Sequence, residues 1–389
     1  MIGDLPEHEI VRVCAGVWSG EEKSARLKDL CGPDVDWGKV FAAAKAHGVL
    51  FLLYKGLKAH GRGVPGEFLQ QLRRLYLQNS AENLRVGARL VRILGVLADA
   101  GVDAVPFKGP VQAEAVYGDI GARYFCDLDI LVRRDDALAA RDVLVENGFF
   151  INVPISDDQA ETYLRYENFF SFTDRAKSLH IDLHWELTGR YLLCPVYLED
   201  LAGRLERLGI AGVEVDALGA EDRLIYLCAH SASHCWDKLE SVCAVAEIVR
   251  SGKITDWEGL ERRAARFGCR KMVRLGLMLA KDVLGAVLPG DVERRISRQR
   301  FLGRLEKQAV EGLFDARGLG DKGLSWRFSP MHFLIRDSAA DGLRYAARMF
   351  FTPTIREWID YPLPLRWLFL YRVLRPWRIV SGWTVSRRK

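Results

Sequence analysis

The sequence predicts an α+β protein in which a small mixed β-sheet unit lies between two helical regions. Two observations indicate this. Apolar residues recur at helical spacing at the start of the chain and again in its second half, whereas short β-like runs are confined to the stretch between. A chain of 389 residues is also too long for one ordinary hydrophobic core. We therefore predict an N-terminal helical region at 1–100, an α/β unit at 101–195 and a C-terminal helical region at 196–389.

The helical regions rest on spacing and on helix-ending residues. Leu90, Leu94 and Leu97 are four and three residues apart, and Gly101 is well placed to end their helix. The stretch 223–250 keeps the same period and predicts one long helix. Most of 255–350 is predicted to be helical as well.

The α/β unit is recognised by short strand-like runs separated by glycines and by one amphipathic helix at 135–147. The predicted strands cover 102–107, 127–132, 149–153, 169–173 and 179–187. Five short strands around a helix form a unit of roughly 90 residues, which is an ordinary domain size.

The charge of the chain is concentrated in its C-terminal tail. Seven basic residues and no acidic one follow position 365, so the net charge of +5 leaves −2 for the rest of the chain. Global basicity therefore does not indicate nucleic-acid binding, although the tail could contact RNA, an acidic partner or a membrane surface. The alternative is a terminal segment packed on the body with its arginines reaching solvent. The tail residues concerned are Arg366, Trp367, Leu368, Phe369, Tyr371, Arg372, Leu374, Arg375, Trp377, Arg378, Trp383, Arg387, Arg388 and Lys389.

Three further features predict a cytoplasmic protein. The eight cysteines include no C-x-x-C pair and are too sparse for a disulfide framework. The acidic N-terminus lacks the apolar segment of a signal peptide. No run of about 18 apolar residues occurs, so we expect no transmembrane segment.

The chemistry is predicted to centre on Asp127-Leu128-Asp129. Alternate residues of a strand point to the same face, so both carboxylates project together while Leu128 faces the core. Two neighbouring carboxylates repel, and their burial is costly without a cation. A hard divalent ion resolves that cost, although an ordinary carboxylate pair on an edge strand is the alternative.

A second alternating run supplies a third carboxylate. His180, Asp182, His184 and Glu186 share one strand face, so Asp182 can approach the same site from a neighbouring strand. Three carboxylates suit a phosphoryl-transfer site with two metal ions. His184 and Glu186 are then candidates to orient a carboxylate or to contact an acceptor, and a structural role for both is the alternative.

Phosphate contacts are predicted at a strand-to-helix junction. Lys108 supplies a positive charge there, and Gly109 allows close approach to backbone N–H groups at a helix start. Arg123 lies four residues before Asp127 and is a second candidate.

Further along, His230 and His234 are four residues apart, with Lys238 one turn later. The predicted helix would place this face over the nucleotide site or simply against the α/β unit. A zinc site is not favoured because no third ligand accompanies the two histidines.

The stretch 105–148 resembles the uncharacterised nucleotidyltransferase family of the DNA polymerase β-like superfamily. The matching residues read Val-Pro-Phe-Lys-Gly-Pro, Tyr-Gly-Asp, Arg-Tyr-Phe-Cys-Asp-Leu-Asp-Ile-Leu-Val and Glu-Asn-Gly. The resemblance extends to Asp182-Leu183-His184-Trp185 and over nearly the whole chain. Gly109-Pro110 departs from the Gly-Gly or Gly-Ser turn of the superfamily, and proline removes a backbone donor.

This resemblance implies an enzyme that transfers a nucleoside monophosphate to a hydroxyl group and releases pyrophosphate. It implies Asp127, Asp129 and Asp182 as catalytic and metal-binding residues, with Mg²⁺ or Mn²⁺ as the cofactor. The expected donor is an NTP, with ATP the first choice, and the expected acceptor is a small molecule. The alternatives are a nucleotide-binding module without turnover, which Pro110 suggests, and a toxin–antitoxin type of transferase acting on protein or RNA, which the basic tail suggests.

Overall fold

The structure is a computed structural model that describes residues 5–153, 155–189, 192, 194–314, 329–361 and 363–380. Within these ranges, helical regions flank a five-stranded mixed sheet, so the predicted α+β class is confirmed. None of the eight cysteines forms a disulfide. Among the helices so described, none has both the length and the hydropathy needed to cross a bilayer.

The N-terminal region is a set of packed helices. The helices are α1 (Pro6–Ala15), α2 (Gly20–Leu30), α3 (Trp37–Ala46), α4 (Leu50–His60) and α5 (Gly66–Asp99). α1 packs against α2, α3 and α4. The Ser19 hydroxyl accepts a hydrogen bond from the Glu22 backbone, and the Glu22 carboxylate accepts one from Ser19 in return, which fixes the start of α2.

The central sheet has the order β1-β2-β5-β4-β3, and its middle pair, β2 and β5, is parallel. The other neighbouring pairs are antiparallel. The strands are β1 (Ala104–Pro106), β2 (Asp127–Val132), β3 (Phe149–Ile151), β4 (Phe169–Asp174) and β5 (His180–His184). The helices within this unit are α6 (Gly109–Tyr117), α7 (Ala137–Glu146) and α8 (Asp157–Tyr166). The sheet therefore agrees with the predicted strands, apart from one to three residues at their ends.

Side chains of β2 alternate between two faces of the sheet, one apolar and one that carries the two aspartates. Leu128, Ile130 and Val132 are buried in a core shared with α5 and α7. Asp127 and Asp129 project from the opposite face, where Leu131 joins the larger core of the flanking helices. The site residues are thus held between the sheet and the helical regions.

The C-terminal part begins with a β-hairpin that the sequence analysis did not predict. Strands β6 (Leu205–Ile210) and β7 (Val213–Leu218) pair antiparallel across Ala211 and Gly212, which both have positive φ. This two-residue turn is typical of a tight hairpin. The hairpin packs against α6 and β1 and so supports the sheet unit from within the region predicted to be helical.

One short helix, α9 (Leu198–Leu201), precedes the hairpin. The helices that follow it are α10 (Ala220–Ser233), α11 (Leu239–Arg250), α12 (Trp257–Arg266), α13 (Arg270–Leu284), α14 (Gly290–Ser297), α15 (Arg300–Phe314), α16 (Pro330–Leu334), α17 (Ala339–Phe351), α18 (Ile355–Asp360) and α19 (Tyr371–Val380). Short 3-10 helices cover Ala202–Arg204 and Leu365–Leu370.

The prediction of one helix over 223–250 was wrong. The chain breaks between α10 and α11, where Cys235 and Trp236 have φ values of 53° and 56°. Trp236 is fully buried, so its packing in the core compensates the unfavourable backbone conformation. His234 caps the end of α10, and Lys238 precedes α11.

The described part of the tail is held to the body by a buried ion-pair network. Glu357 is fully buried, and its carboxylate lies 2.6 Å from Arg378 and 3.3 Å from Arg375. These two arginines are therefore not free to contact an acidic partner. Trp383, Arg387, Arg388 and Lys389 lie outside the described residues.

Replacing Glu357 with glutamine should loosen this network, because Arg375 and Arg378 lose the buried carboxylate that they share, although Arg378 keeps Asp360 at 3.6 Å. Breaking a buried ion pair costs about 3–5 kcal/mol. The protection of the backbone amides of α18 and α19 against hydrogen exchange should then fall by at least about 100-fold. Glu311→Gln is the control, because Glu311 is exposed and lies 3.9 Å from Lys307. Equal protection in the two variants would contradict the expectation.

Candidate active site

The parallel pairing of β2 and β5 brings two of the predicted carboxylates together. Asp129 and Asp182 are direct neighbours in the strand register. Adjacent strands lie about 4.8 Å apart, so side chains on the same face of such a pair are in reach of one another. Oxygen atoms of Asp129 and Asp182 and a ring nitrogen of His184 all lie within 4.8 Å of one another.

Asp129 is the most tightly held of these groups. Its Oδ1 accepts a hydrogen bond of 2.6 Å from Lys108 Nζ and lies 3.2 Å from His184 Nε2. Burial alone would raise the pKa of Asp129, but the Lys108 ammonium and the His184 contact hold it well below its ordinary value. Asp129 is therefore a buried, ionised carboxylate.

A chain of hydrogen bonds fixes the tautomer of His184. Asn168 Nδ2 lies 3.2 Å from the carbonyl oxygen of Glu186, which can only accept, so this end of Asn168 is the amide nitrogen. The same nitrogen lies 3.4 Å from His184 Nδ1, which must then accept as well. The proton of a neutral His184 therefore sits on Nε2 and is donated to Asp129.

Aromatic rings surround this histidine and extend towards α10. Phe107 lies edge-on to His184 with 5.1 Å between ring centroids, and Phe169 stacks on it at 5.2 Å. Tyr226 of α10 contacts Phe107 at 5.1 Å and stacks with His230 at 5.6 Å. These rings lower the local dielectric and strengthen the Lys108–Asp129 contact.

Asp127 lies next to this cluster on the same face of β2 and does not belong to the group of ligand atoms described above. Burial raises the pKa of Asp127, and the charge of Asp129 raises it further. Burial also raises the pKa of Asp182, with Asp129 adding to the effect and His184 opposing it. Burial is thus the main reason that both pKa values are raised, and repulsion from ionised Asp129 adds to it.

Arg123 is engaged in an ion pair. Its Nε lies 3.2 Å from Glu240 of α11, and both side chains are largely buried. Asn79 and Asn83 of α5 each donate a hydrogen bond to the Arg123 carbonyl oxygen and so anchor this loop. The phosphate contact of Arg123 stays a prediction.

The junction at Lys108 and Gly109 has the predicted strand-to-helix form. Lys108 is the N-cap of α6, and Gly109 has a φ of +58°. A Cβ atom at this glycine would lie 3.1 Å from the Asp127 carbonyl oxygen, so a larger residue would crowd the carboxylate strand. Pro110 lies in the first turn, where no intrahelical N–H bond is lost.

The remaining candidates are dispersed. The ring of His230 stacks on Tyr226 of the same helix, and burial first and the Lys108 charge second keep its pKa well below the ordinary value. His234 and Lys238 are exposed beyond the end of α10, although the rings of His230 and His234 are 4.9 Å apart. Lys238 instead lies near His47. Glu186 is buried just past the end of β5.

Asn168 and Tyr226 were missed by the sequence analysis. Asn168 directly precedes a predicted strand, and a polar residue at such an edge is the only sequence signal it gave. Tyr226 lies on a helix with apolar neighbours and carries no chemical signature of its own. Their roles follow from tertiary contacts.

The residues present fit a divalent cation. Asp129 Oδ2 is buried and has no hydrogen-bond partner among the described residues, while its Oδ1 is occupied by Lys108 and His184. A buried carboxylate oxygen of this kind needs a cation or a donor. Asp182 offers further oxygen atoms, the ligands that Mg²⁺ and Mn²⁺ prefer.

The family comparison identifies the chain as a nucleotidyltransferase, an enzyme of the transferase class. A family model described as uncharacterised nucleotidyltransferase matches residues 33–285, which is well over half of the chain. The chain therefore belongs to this uncharacterised nucleotidyltransferase family, as the resemblance in its sequence predicted. No curated protein matches it.

Replacing Lys108 with methionine should destabilise the protein because a buried Asp129 carboxylate loses its counter-ion. The expected loss at neutral pH is about 3–5 kcal/mol. The loss should shrink as the pH falls toward about 4, because a protonated Asp129 needs no counter-ion. Added Mg²⁺ should restore part of the lost free energy of unfolding.

Denaturant unfolding of both proteins between acidic and neutral pH measures this difference. Lys39→Met is the control, since Lys39 makes an exposed pair with Asp36 at 3.6 Å and should cost less than about 1 kcal/mol. A loss that does not depend on pH would contradict the counter-ion role of Lys108.

The hydrogen bonds of Asn168 predict that neutral His184 carries its proton on Nε2. Long-range proton–nitrogen spectra of labelled protein should show this tautomer alone. Asn168→Ala frees Nδ1 and should let both tautomers appear. A signal from Nδ1–H in the unaltered protein would show that the assignment is wrong.

Proposed function

We propose that this enzyme transfers a nucleoside monophosphate, with ATP as donor, to a hydroxyl group of a small-molecule acceptor and releases pyrophosphate. The observation that supports this most is the buried Asp129 oxygen without a protein partner beside Asp182. It favours a cation between the two strands, at the place where the triphosphate of a nucleotide would meet the carboxylates.

Asp129 and Asp182 are proposed to hold Mg²⁺ or Mn²⁺, with Asp127 as the further ligand that the family resemblance implies. The bound cation would supply Lewis-acid stabilisation of phosphate charge. His184 holds Asp129 in a fixed orientation, and Asn168 fixes His184 in turn. These residues act by positioning, and the surrounding rings exclude water.

Lys108 is proposed to exchange partners during nucleotide binding. In the structure its ammonium group is bound to Asp129 at the start of α6. A cation on Asp129 would repel the ammonium group and release it toward the phosphates. Backbone N–H groups at the start of α6, beside Gly109, are proposed to contact the phosphates, and Arg123 is proposed to contribute a second positive charge.

Asp182 is proposed to orient the acceptor hydroxyl and to accept its proton as the oxygen attacks the α-phosphorus. Burial and Asp129 raise its pKa, and a raised pKa makes a carboxylate a better base. The new oxygen–phosphorus bond forms as the bond to pyrophosphate breaks. Tyr226 and His230 face Lys108 from α10 and are proposed to border the bound nucleotide or acceptor.

Transfer can be tested with each α-labelled NTP, Mg²⁺ and a panel of hydroxyl acceptors. Asp129→Asn and Asp182→Asn should each lower the rate of label transfer by at least about 100-fold, because charge stabilisation at the reacting phosphate is lost. Asp127→Asn tests the role as a metal ligand that the family resemblance implies for Asp127.

Asp103→Asn is the matched control, since Asp103 is an exposed carboxylate that contacts only the Arg133 side chain at 3.3 Å among the described residues. It should transfer label at the unaltered rate. Label transfer by Asp129→Asn at the control rate would reject the assignment, and label transfer only to protein or RNA would favour a macromolecular acceptor.

A further inference from the structure

A second cavity lies away from the carboxylates, between the three regions of the chain. Its volume is about 350 Å³, within the usual range for small-molecule sites. Residues of α1, α2 and α4 form one side, Tyr117 ends α6 on another, and Glu247 and Arg250 of α11 complete the lining.

The cavity is lined by three cationic side chains and one carboxylate. Lys55 is paired outside the lining with Asp119 at 2.8 Å, and Arg250 is paired with Glu247 at 2.6 Å. The ammonium group of Lys23 makes no hydrogen bond or ion pair with any residue that the structure describes. Burial lowers the pKa of Lys23, as expected for a cation partly removed from water, and the charge of Glu247 opposes this shift.

Tyr117 supplies an independent indication of a ligand. Its hydroxyl is buried and has no hydrogen-bond partner in the described part of the chain. A buried hydroxyl without a partner costs free energy, and such groups in native structures call for an explanation. A ligand oxygen that accepts from this hydroxyl and from Lys23 would satisfy both groups.

From these contacts we propose that the cavity binds a small organic anion, held through a phosphate or carboxylate group by Lys23 and Tyr117. Lys55 and Arg250 add positive charge around the same space and favour the anionic form of the ligand. The site is distinct from the carboxylate cluster, because α6 separates Tyr117 from Gly109 by roughly 12 Å.

The position of Tyr117 couples this cavity to the active site. Burial raises the pKa of its hydroxyl and the charge of Glu240 raises it further, whereas Arg123, the ion-pair partner of Glu240, lowers it. A ligand at Tyr117 would thus contact the end of the helix whose first turn carries Gly109. Binding of an anion in this cavity requires no nucleotide, so it can be tested independently of the transfer reaction.

Binding is tested without nucleotide and with EDTA, using inorganic phosphate and citrate as two separate probes and the broadening of their NMR signals as the measurement. Lys23→Met should weaken binding by about ten-fold or more, because a charged hydrogen bond is lost. Lys28→Met is the matched control, since Lys28 is an exposed lysine on the same helix.

Tyr117→Phe gives a second and independent readout. It should weaken binding of the same probe while leaving thermal stability without the probe unchanged or raised, because the removed hydroxyl has no partner. Binding of phosphate alone would identify a phosphate ester as the ligand class, and binding of citrate alone a carboxylate.

Two results would overturn the proposal. One is the absence of binding of either probe at millimolar concentration, and the other is equal binding by Lys23→Met and the unaltered protein.

Discussion

The contact between Lys108 and the buried Asp129 is the interaction on which the site depends. It joins the start of α6 to the central strand β2, and it keeps a carboxylate ionised in a largely apolar surrounding. Parallel pairing of β2 with β5 then brings Asp182 and His184 to the same place. The site is therefore a property of the sheet register, because a slip of one residue would turn every one of these side chains to the opposite face.

The charge balance around Asp129 is consistent with the proposal that Lys108 exchanges this carboxylate for phosphate. One oxygen of this carboxylate is satisfied by Lys108 and His184, and the other is left without a described partner. The protein thus stores a stable, ionised ligand group in the absence of a cation and needs only to move one flexible side chain to use it. Asn168 can hold His184 in place during such a change, because Asn168 is itself anchored to the backbone carbonyl oxygen of Glu186.

Local patterns in the sequence predicted most of the sheet and its carboxylates. The alternation in Asp127–Val132 and His180–His184 determined the strands and the shared face, since strand period and burial act on neighbouring residues. The break at Cys235 and the hairpin across Ala211 were missed, because each depends on residues with positive φ that are not glycine. Asn168, Tyr226 and the Glu240 partner of Arg123 could not be predicted, since they approach the site only through tertiary packing.

The parallel arrangement of β2 and β5 has a consequence for the order of folding. The two strands lie about 50 residues apart in the chain, and β3, β4 and two helices form the connection between them. Closing such a long connection costs entropy before the two strands pair. We therefore expect the pairing of β2 with β5 to form later than the local helices and hairpins. During synthesis, Asp129 and Asp182 would thus remain apart until the ribosome has released the chain beyond His184.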